Sequence, residues 1–355
     1  MVFHIFPREK FTVGYINRIN RLYNPQNHFF LIYGDGGGES FDNSIIELDN
    51  VTYSCMLRGF DQIEEYFKNA SSIILHSLPF KYDDLKLLWD LQKAYSKRLA
   101  WVLWGGDLYN AYKYNRGRGM LKITPIFSEL LRVKLIKSLY MVVSGCDFEE
   151  LKKRYKTKAI QSTAQYDYKM IKFSDSMEQS DKINVMIGHS ATNTCRHIET
   201  FNLLKMYSGK INVFCPLSYP ADNTMYINKV EEAGRSIFGE SFHAIKDFMN
   251  YDEYVAFLNK MDIAVFNNSR QQGMGNITSL LLLGKKVYLS NDNTIRFIYK
   301  NSDYDIYSVD DIEKDNFLEP LTEEQRESNR KKIEYKFSDE NFMKEWNTIF
   351  NIGNI

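Results

Sequence analysis

Ser269-Arg270-Gln271-Gln272-Gly273-Met274-Gly275-Asn276 is a polar stretch, punctuated by two glycines, set between two apolar ones. Ahead of it, Met261-Asp262-Ile263-Ala264-Val265-Phe266 reads as a buried strand. Behind it, Ile277 to Leu283 reads as a buried helix stopped by Gly284, and Lys286-Val287-Tyr288-Leu289-Ser290 as another strand. A loop that leaves the C-terminal end of a strand and opens a helix is where open α/β sheets bind ligands, because the first N–H groups of the helix lack partners. Arg270 adds a permanent charge with the fork geometry that suits phosphate. Gln271 and Gln272 add donors and acceptors suited to sugar hydroxyls. Against this stands the plainer reading of an ordinary strand-to-helix turn with an exposed arginine.

The same alternation recurs outward from this point. Ile183-Asn184-Val185-Met186-Ile187 is a strand running into Gly188-His189-Ser190, followed by a helical pattern that carries His197. Ile211 to Pro216 is the next strand, and Tyr226–Glu232 and Tyr251–Asn259 read as helices. In the first half, Val2–Phe6, Phe29–Tyr33, Ile73–His76, Leu99–Trp104 and Tyr140–Ser144 read as strands, with a helix over Asp83–Lys97 and Asp147 placed as the N-cap of another. Strands alternating with helices predict parallel sheets covered on both faces. The pattern fades at the polar run Ser174–Ser180, which sets the expected boundary: an N-terminal domain over 1–170, a C-terminal domain over 181–335, and a closing helix over 336–355 that folds back on the first. The fold class expected is thus α/β, two Rossmann-like domains facing each other across a crevice.

Bulk properties narrow the function. At 355 residues the chain calls for two domains, and 44% hydrophobic with 25% charged residues is the balance of a globular protein. No apolar run approaches the roughly 18 residues of a spanning helix. The N-terminus starts directly as a strand, without a basic region, an apolar core or a small-residue cleavage site, so a cytosolic location is expected. Cys55, Cys146, Cys195 and Cys215 are scattered, which points to neither zinc nor a disulfide framework. Trp101–Ile160 carries twelve Lys/Arg against five Asp/Glu, whereas 301–330 carries three against ten. Between Lys113 and Lys137 the basic residues interleave with apolar ones, as in a helix lying on an anionic membrane. Nothing matches a nucleic-acid motif.

The loops supply the candidate chemistry. Two helix N-termini, after Gly188-His189-Ser190 and after Arg270, would hold a diphosphate without a metal. There is no phosphate-binding P-loop, and Gly34-Asp35-Gly36-Gly37-Gly38-Glu39 has Glu39 where the dinucleotide fingerprint needs its third glycine. Asp303-Tyr304-Asp305 resembles a metal-binding pair but lies in the acidic surface stretch, so no metal and no cofactor are expected. On the first half, Asp35, His76 and Asp107 stand at strand ends as acids or bases, Asp107 being the first choice for an acceptor-side base. Helix capping is its alternative role; His76 has core packing as its own, and His197 either meets a phosphate or packs.

Trp101-Val102-Leu103-Trp104-Gly105-Gly106-Asp107-Leu108-Tyr109, Ile187-Gly188-His189-Ser190 with His197, Ser218-Tyr219-Pro220 with Asn223 and Tyr226, and Arg270-Gln271-Gln272-Gly273-Met274-Gly275 occur in one order. Together they resemble the TDP-N-acetylfucosamine:lipid II N-acetylfucosaminyltransferase family, glycosyltransferase family 56, from about Ile73 to Asn293. The resemblance implies a metal-independent GT-B glycosyltransferase. It implies a TDP-deoxy-aminosugar donor in the C-terminal half, held by Gly188, His189, Ser190, Asn193, His197, Pro216, Tyr219, Arg270, Gln271, Gln272, Gly273, Met274, Gly275 and Asn276. It implies an undecaprenyl-diphosphate-linked acceptor at the cytosolic face of a bacterial inner membrane, met by Asp35, Gly36, Trp104, Gly105, Asp107 and Tyr109, in the synthesis of enterobacterial common antigen or O-antigen. Asp107, Arg270 and His76 are the expected catalytic residues. The reading from another class, a non-catalytic two-domain sugar-binding protein, usually goes with a secretory signal; a dehydrogenase or epimerase would need the missing dinucleotide fingerprint.

Overall fold

A computed structural model describes residues 1–9, 11–35, 41–109, 124–166, 181–219, 223–314 and 316–354. The chain forms two compact units, one built from Met1–Tyr168 with Phe337–Ile355 and the other from Lys169–Lys336.

The first unit is organised by a seven-stranded parallel sheet. Its strands are β1 (Val2–Pro7), β2 (His28–Tyr33), β3 (Val51–Ser54), β4 (Ser72–His76), β5 (Leu99–Val102), β6 (Met141–Val143) and β7 (Ile160–Ser162), in the order β3-β2-β1-β4-β5-β6-β7. The central strands are continuous apolar runs because helices cover both faces. One face buries Phe3, Leu31, Leu75, Trp101 and Leu135, the other Phe6, Ile32, Ile74 and Val102. Register follows from this: Phe3 lies opposite both Phe29 and Ile73, keeping the large side chains on one face.

The second face is completed by the end of the chain. Helix Asp339–Phe350 starts with the Ser338 side chain accepting from the Asn341 N–H, and it buries Phe342, Trp346 and Ile349. Arg18 and Arg21 both pair with Asp339, and the Trp346 indole N–H donates to the Gln165 carbonyl at 2.9 Å. A Cβ on Gly353 would lie 1.8 Å from the Ser71 carbonyl oxygen, so this turn docks only with glycine.

The second unit has a six-stranded parallel sheet. Its strands are β8 (Ile183–Ile187), β9 (Ile211–Pro216), β10 (Phe242–Ile245), β11 (Ile263–Phe266), β12 (Lys286–Leu289) and β13 (Tyr307–Ser308), ordered β10-β9-β8-β11-β12-β13. In both sheets the chain fills one side and then the other, so the order reverses once: between β1 and β4, and between β8 and β11. At such a switch point the two loops leaving adjacent strand ends diverge to opposite faces and open a crevice for a ligand.

Four strands have no counterpart in the sequence reading: β3, β7, β10 and β13. Each is a sheet edge. An edge strand is short and half exposed, as in β7, with two exposed residues of three, so it lacks the apolar run by which a central strand is read. No described helix is long and apolar enough to cross a membrane.

Candidate functional site

In the second unit the switch-point loops are locked together. The Gly188 N–H donates to the Val265 carbonyl, extending β8 along β11 before the chain turns at φ +67°. A Cβ there would lie 2.5 Å from His197 Nε2, so glycine is required for both conformation and space. Gly273 turns at φ +73° and caps helix Met274–Leu282, its Cα facing His189. Between them, Ser269 N–H donates to the Thr194 carbonyl, and Thr194 Oγ1 donates to Gln272 Oε1 at 2.6 Å. Ser190, Thr192 and Cys195 form a hydroxyl–thiol cluster beside His189. Burial pushes the Cys195 thiol up, but the hydrogen bonds from His189, Ser190 and Thr192 outweigh it and hold the group at about 6.

The sequence candidates divide accordingly. Arg270 is exposed and makes no ion pair or hydrogen bond with any described residue; Gln271, Met274, Gly275 and Asn276 surround it with partial or full exposure. Gln272 spends its carbonyl on Thr194 and keeps only its amide N–H groups for a ligand. Asn193 is exposed, Tyr219 is 75% exposed, and Pro216 is buried at the end of β9. His197 needs correction: it is fully buried, bonded through Nδ1 to Tyr226, and lowered to about 3 by burial and then by His189. It supports the Gly188 turn and does not face a ligand. The helix it opens, His197–Leu204, starts after Arg196 in the left-handed region, well past Ser190. Asn223 donates to the Ala191 carbonyl and the Ala191 N–H to the Tyr219 carbonyl, so the motif residues after β9 hold the β8 loop from below.

In the first unit the switch point opens into a cavity of about 470 Å³. The loops after β1 (Pro7, Arg8, Glu9, Phe11), β2 (Tyr33–Asp35), β4 (Ser77–Lys81) and β5 (Trp104, Gly106, Asp107) line it. Three of these loops turn through the left-handed region, at Gly34, Ser77 and Gly105. Ser77 does so without being glycine, a strain that clusters at functional sites.

Asp107 lines this cavity but is 2% exposed. Its carboxylate accepts from the Leu78 N–H, the Trp101 indole and the Trp104 N–H at 3.1, 2.8 and 3.1 Å. Burial raises its pKa, and these donors pull against the rise. It is a latch between the β4 and β5 loops, and the expectation of a free base at the lip is corrected. Arg132 completes the latch by donating to the carbonyls of Asp107 and Pro79.

His76 is corrected as well. It is fully buried, stacked on Phe6, and bonded to His4 and Tyr166; His4 is bonded in turn to His28. Burial holds His76 and His4 well below the usual imidazole range and lowers His28 to about 4, so the chain is neutral. Trp104 lines the cavity and donates its indole N–H to Tyr166, linking the chain to the cavity wall. Tyr109 donates to Asp147, while Gly105 forms the turn between them. Asp35 is exposed at the rim, and Gly36 lies outside the described residues. Sequence reasoning missed Arg8, Glu9, Phe11 and Lys81, because nothing local says that the loops after β1 and β4 meet. Among the described residues no group of three His, Cys, Asp or Glu could hold a metal ion.

The architecture is shared with glycosyltransferases of known structure. The trehalose-phosphate synthase (UDP-forming) of Burkholderia vietnamiensis is 11% identical, with 99% of this chain and 100% of that one covered at a TM-score of 0.60. HepE of Anabaena in complex with UDP is 8% identical, with 98% and 99% covered at 0.64. A glycosyltransferase of Rickettsia africae is 12% identical, with 99% and 98% covered at 0.60. The fold is that of a GT-B glycosyltransferase. The family model described as 4-alpha-L-fucosyltransferase, glycosyl transferase group 56, matches residues 80–354, and the chain belongs to that family. It is a glycosyltransferase.

Proposed function

We propose that the enzyme moves a deoxy-aminosugar of the N-acetylfucosamine type from a TDP-sugar to a saccharide carried on undecaprenyl diphosphate, in the synthesis of a surface polysaccharide such as enterobacterial common antigen or O-antigen. The observation that carries the donor half is the pair of bolted loops after β8 and β11. No carboxylate occurs from Gly188 to Arg196 or from Asn267 to Asn276, while Arg270 stands exposed beside the N-terminus of helix Met274–Leu282. That is an environment for a diphosphate leaving group whose charge grows as the glycosidic bond breaks. HepE, of the same fold, binds UDP. Arg270 and the helix N-terminus are the proposed electrophilic elements; Gln271, Gln272 and Asn276 offer amides to the donor, and His189 and Ser190 line the opposite loop.

The acceptor half belongs to the cavity of the first unit, where aromatic, cationic and anionic side chains meet. A lipid-linked acceptor calls for a membrane-facing surface. Helix Thr124–Ser138 buries Leu131, Leu135 and Ile136 and turns Ile126, Phe127 and Leu130 outward, with Lys134 and Lys137 on the same exposed face. Apolar residues backed by lysines suit an anionic bilayer, here the cytosolic face of the inner membrane. Residues 113–123 of the basic segment lie outside the described residues, and Arg132 is buried in the Asp107 latch.

The test is mass-spectrometric detection of TDP released from TDP-N-acetylfucosamine in the presence of a polyprenyl-diphosphate-linked acceptor, with EDTA added. Release that requires the acceptor and survives EDTA is expected. Donor binding without release would favour a binding protein, and release restored only by Mg²⁺ or Mn²⁺ would overturn the metal-free reading.

A further inference from the structure

Trp104 stands on the wall of the first unit's cavity, and the groups behind its ring form a hydrogen-bonded chain with one direction. An indole N–H only donates, so Tyr166 Oη accepts from Trp104 at 2.9 Å. Among the described residues, His76 Nδ1 at 2.6 Å is the one acceptor that the Tyr166 hydroxyl reaches, so the hydroxyl donates there. His76 then carries its proton on Nε2 and donates to His4 Nδ1 at 3.1 Å, and His4 donates from Nε2 to His28 Nδ1 at 3.0 Å. The three imidazoles are neutral because burial lowers the pKa of each, and burial likewise keeps the Tyr166 proton in place. Each histidine therefore holds its proton on Nε2. Turning one tautomer round would set two protons, or two lone pairs, against each other and leave a buried hydrogen bond unmade. The chain thus keeps a Tyr166 lone pair aimed at the indole.

The rings around Trp104 give this order a use. Phe11 meets Trp104 edge to face at 5.8 Å and stacks on Tyr166 at 6.1 Å with planes 25° apart. Phe6 backs Trp104 at 6.0 Å and Tyr15 backs Tyr166 at 5.2 Å. Phe6 and Tyr15 are fully buried, whereas Phe11 is 44% exposed and Trp104 is partly exposed on the cavity. On the same cavity Glu9 and Asp35 present exposed carboxylates with no hydrogen bond or ion pair to any described residue. Aromatic faces carry negative charge density and attract the polarised C–H groups on the flat side of a sugar, while carboxylates accept from the hydroxyls at its edge.

We propose that Trp104 and Phe11 are the platform for a sugar ring of the acceptor, and that Tyr166 is the positioning residue that holds the indole for it, resting on the functional reading above. The C–H side of the ring lies on the aromatic pair, and its hydroxyls reach Glu9 and Asp35. Tyr166 does not touch the sugar. It fixes the plane of Trp104, so less order has to be imposed when the sugar arrives. The histidine chain fixes Tyr166 in turn. The platform takes no part in bond breaking, so its loss shows in the KM for the acceptor and not in the rate of the saturated enzyme.

The test begins without donor, on protein carrying 15N-labelled tryptophan and histidine. Of the four indole N–H signals, the one missing in Trp104→Phe should shift when an undecaprenyl-diphosphate-linked disaccharide in detergent micelles is added, and stay in place with empty micelles or with TDP. The imidazole signals of His4, His28 and His76 should be those of Nε2–H tautomers. In turnover, Phe11→Ala, Trp104→Phe and Tyr166→Phe should each raise the KM for the disaccharide about three- to tenfold, with kcat and TDP affinity near wild type. Tyr166→Phe should add nothing to Trp104→Phe, because it acts through the indole. An unmoved indole signal, an equal shift with TDP, an Nδ1–H proton on His4 or His76, an unchanged KM in Phe11→Ala, or additive losses in the double variant would each overturn the assignment. Failure of the wild type to release TDP from TDP-N-acetylfucosamine would instead sink the functional reading, whereas the indole shift is read without donor and stands or falls by itself.

Discussion

The two switch points are built on the same topology and hold different chemistry. Both lie between the innermost strand and the strand added on its other side, and both are ringed by left-handed turns: Gly34, Ser77 and Gly105 in the first unit, Gly188, Arg196 and Gly273 in the second. The second unit's loops carry hydroxyls, amides and an exposed arginine, with no carboxylate from 188 to 196 or from 267 to 276. The first unit's cavity carries Glu9, Asp35, Asp84 and Asp107 together with Arg8, Lys81, Phe11 and Trp104. The shared sheet order sets where a ligand can sit, and the loop residues decide which ligand. Under the proposed function, the second unit's loops would take the diphosphate of the donor and the first unit's cavity the acceptor.

The sharpest way to break this contrast is at Arg270. If it is the charge that makes the second site anion-seeking, Arg270→Ala should weaken TDP binding and slow turnover, since a charge-assisted hydrogen bond contributes about 1.5–3 kcal/mol, from about tenfold to over a hundredfold. Arg270→Lys should recover only part, because it keeps the charge and loses the fork. Unchanged calorimetric affinity in Arg270→Ala would move the diphosphate elsewhere and dissolve the comparison.

Asp107→Asn probes the first site from the other direction. A carboxylate that accepts from three N–H groups and the Ser77 hydroxyl cannot be replaced by an amide without turning an NH₂ toward one of the N–H groups. The expected cost is about 1–3 kcal/mol of stability, read as a lower denaturant midpoint, from leaving a buried donor unsatisfied. A variant as stable as wild type but slower by about 10²–10⁴-fold would return Asp107 to the role of base.

These two residues also mark what the sequence could and could not convey. The exposure of Arg270 was readable because its loop stands alone between a buried strand and a buried helix. The fold class was readable for the same reason, since central strands announce themselves as apolar runs, while the edge strands β3, β7, β10 and β13 did not. Asp107 was misread because its three donors come from Leu78, Trp101 and Trp104, and the first of these is brought to it only by the pairing of β4 with β5. The buried histidines were invisible as a chain, lying 24 and 72 residues apart in sequence.

That chain gives the two units different responses to acid. His4, His76 and His28 are depressed in the folded state relative to the usual value near 6.5, chiefly by burial. Above about 6.5 they are neutral in both states, so their contribution is fully present. As pH falls below it the unfolded chain takes up protons that the folded unit refuses, and stability is lost until the folded values are reached, about 4 for His28. Each group costs up to about 1.4 kcal/mol per pH unit in that window. The second unit has one strongly buried counterpart, His197 at about 3. Hydrogen exchange at pH 7 and pH 5 should therefore show protection falling more in strands β1, β2 and β4 than in β8 and β11. Equal losses would mean that the linked histidines are not held neutral.

The smallest expected effect concerns the surface of the first unit that would meet a bilayer. Ile126, Phe127 and Leu130 are 62%, 50% and 50% exposed on one helix face, and Lys134 and Lys137 continue that face toward the C-terminus. Lys134 rests over the Trp89 ring at 5.9 Å, which keeps its charge at the surface. The second unit also exposes a large side chain, Phe248, at 87%, but Lys246 near it is paired with Glu231. If apolar insertion and lysine attraction act together, the protein should bind phosphatidylglycerol vesicles more tightly than neutral ones. Binding should weaken as the Debye length falls from about 10 Å at 0.1 M salt to about 3 Å at 1 M. Lys134→Gln and Lys137→Gln should each cost about 1 kcal/mol of that binding. Phe127→Ser should weaken binding to both vesicle types, because it removes insertion and leaves the charge, whereas Phe248→Ser should change neither. Equal binding to charged and neutral vesicles would remove the electrostatic half of the surface. A loss in Phe248→Ser as large as in Phe127→Ser would show that exposure of an aromatic side chain is enough, and that the first unit's helix face has no special claim on the membrane.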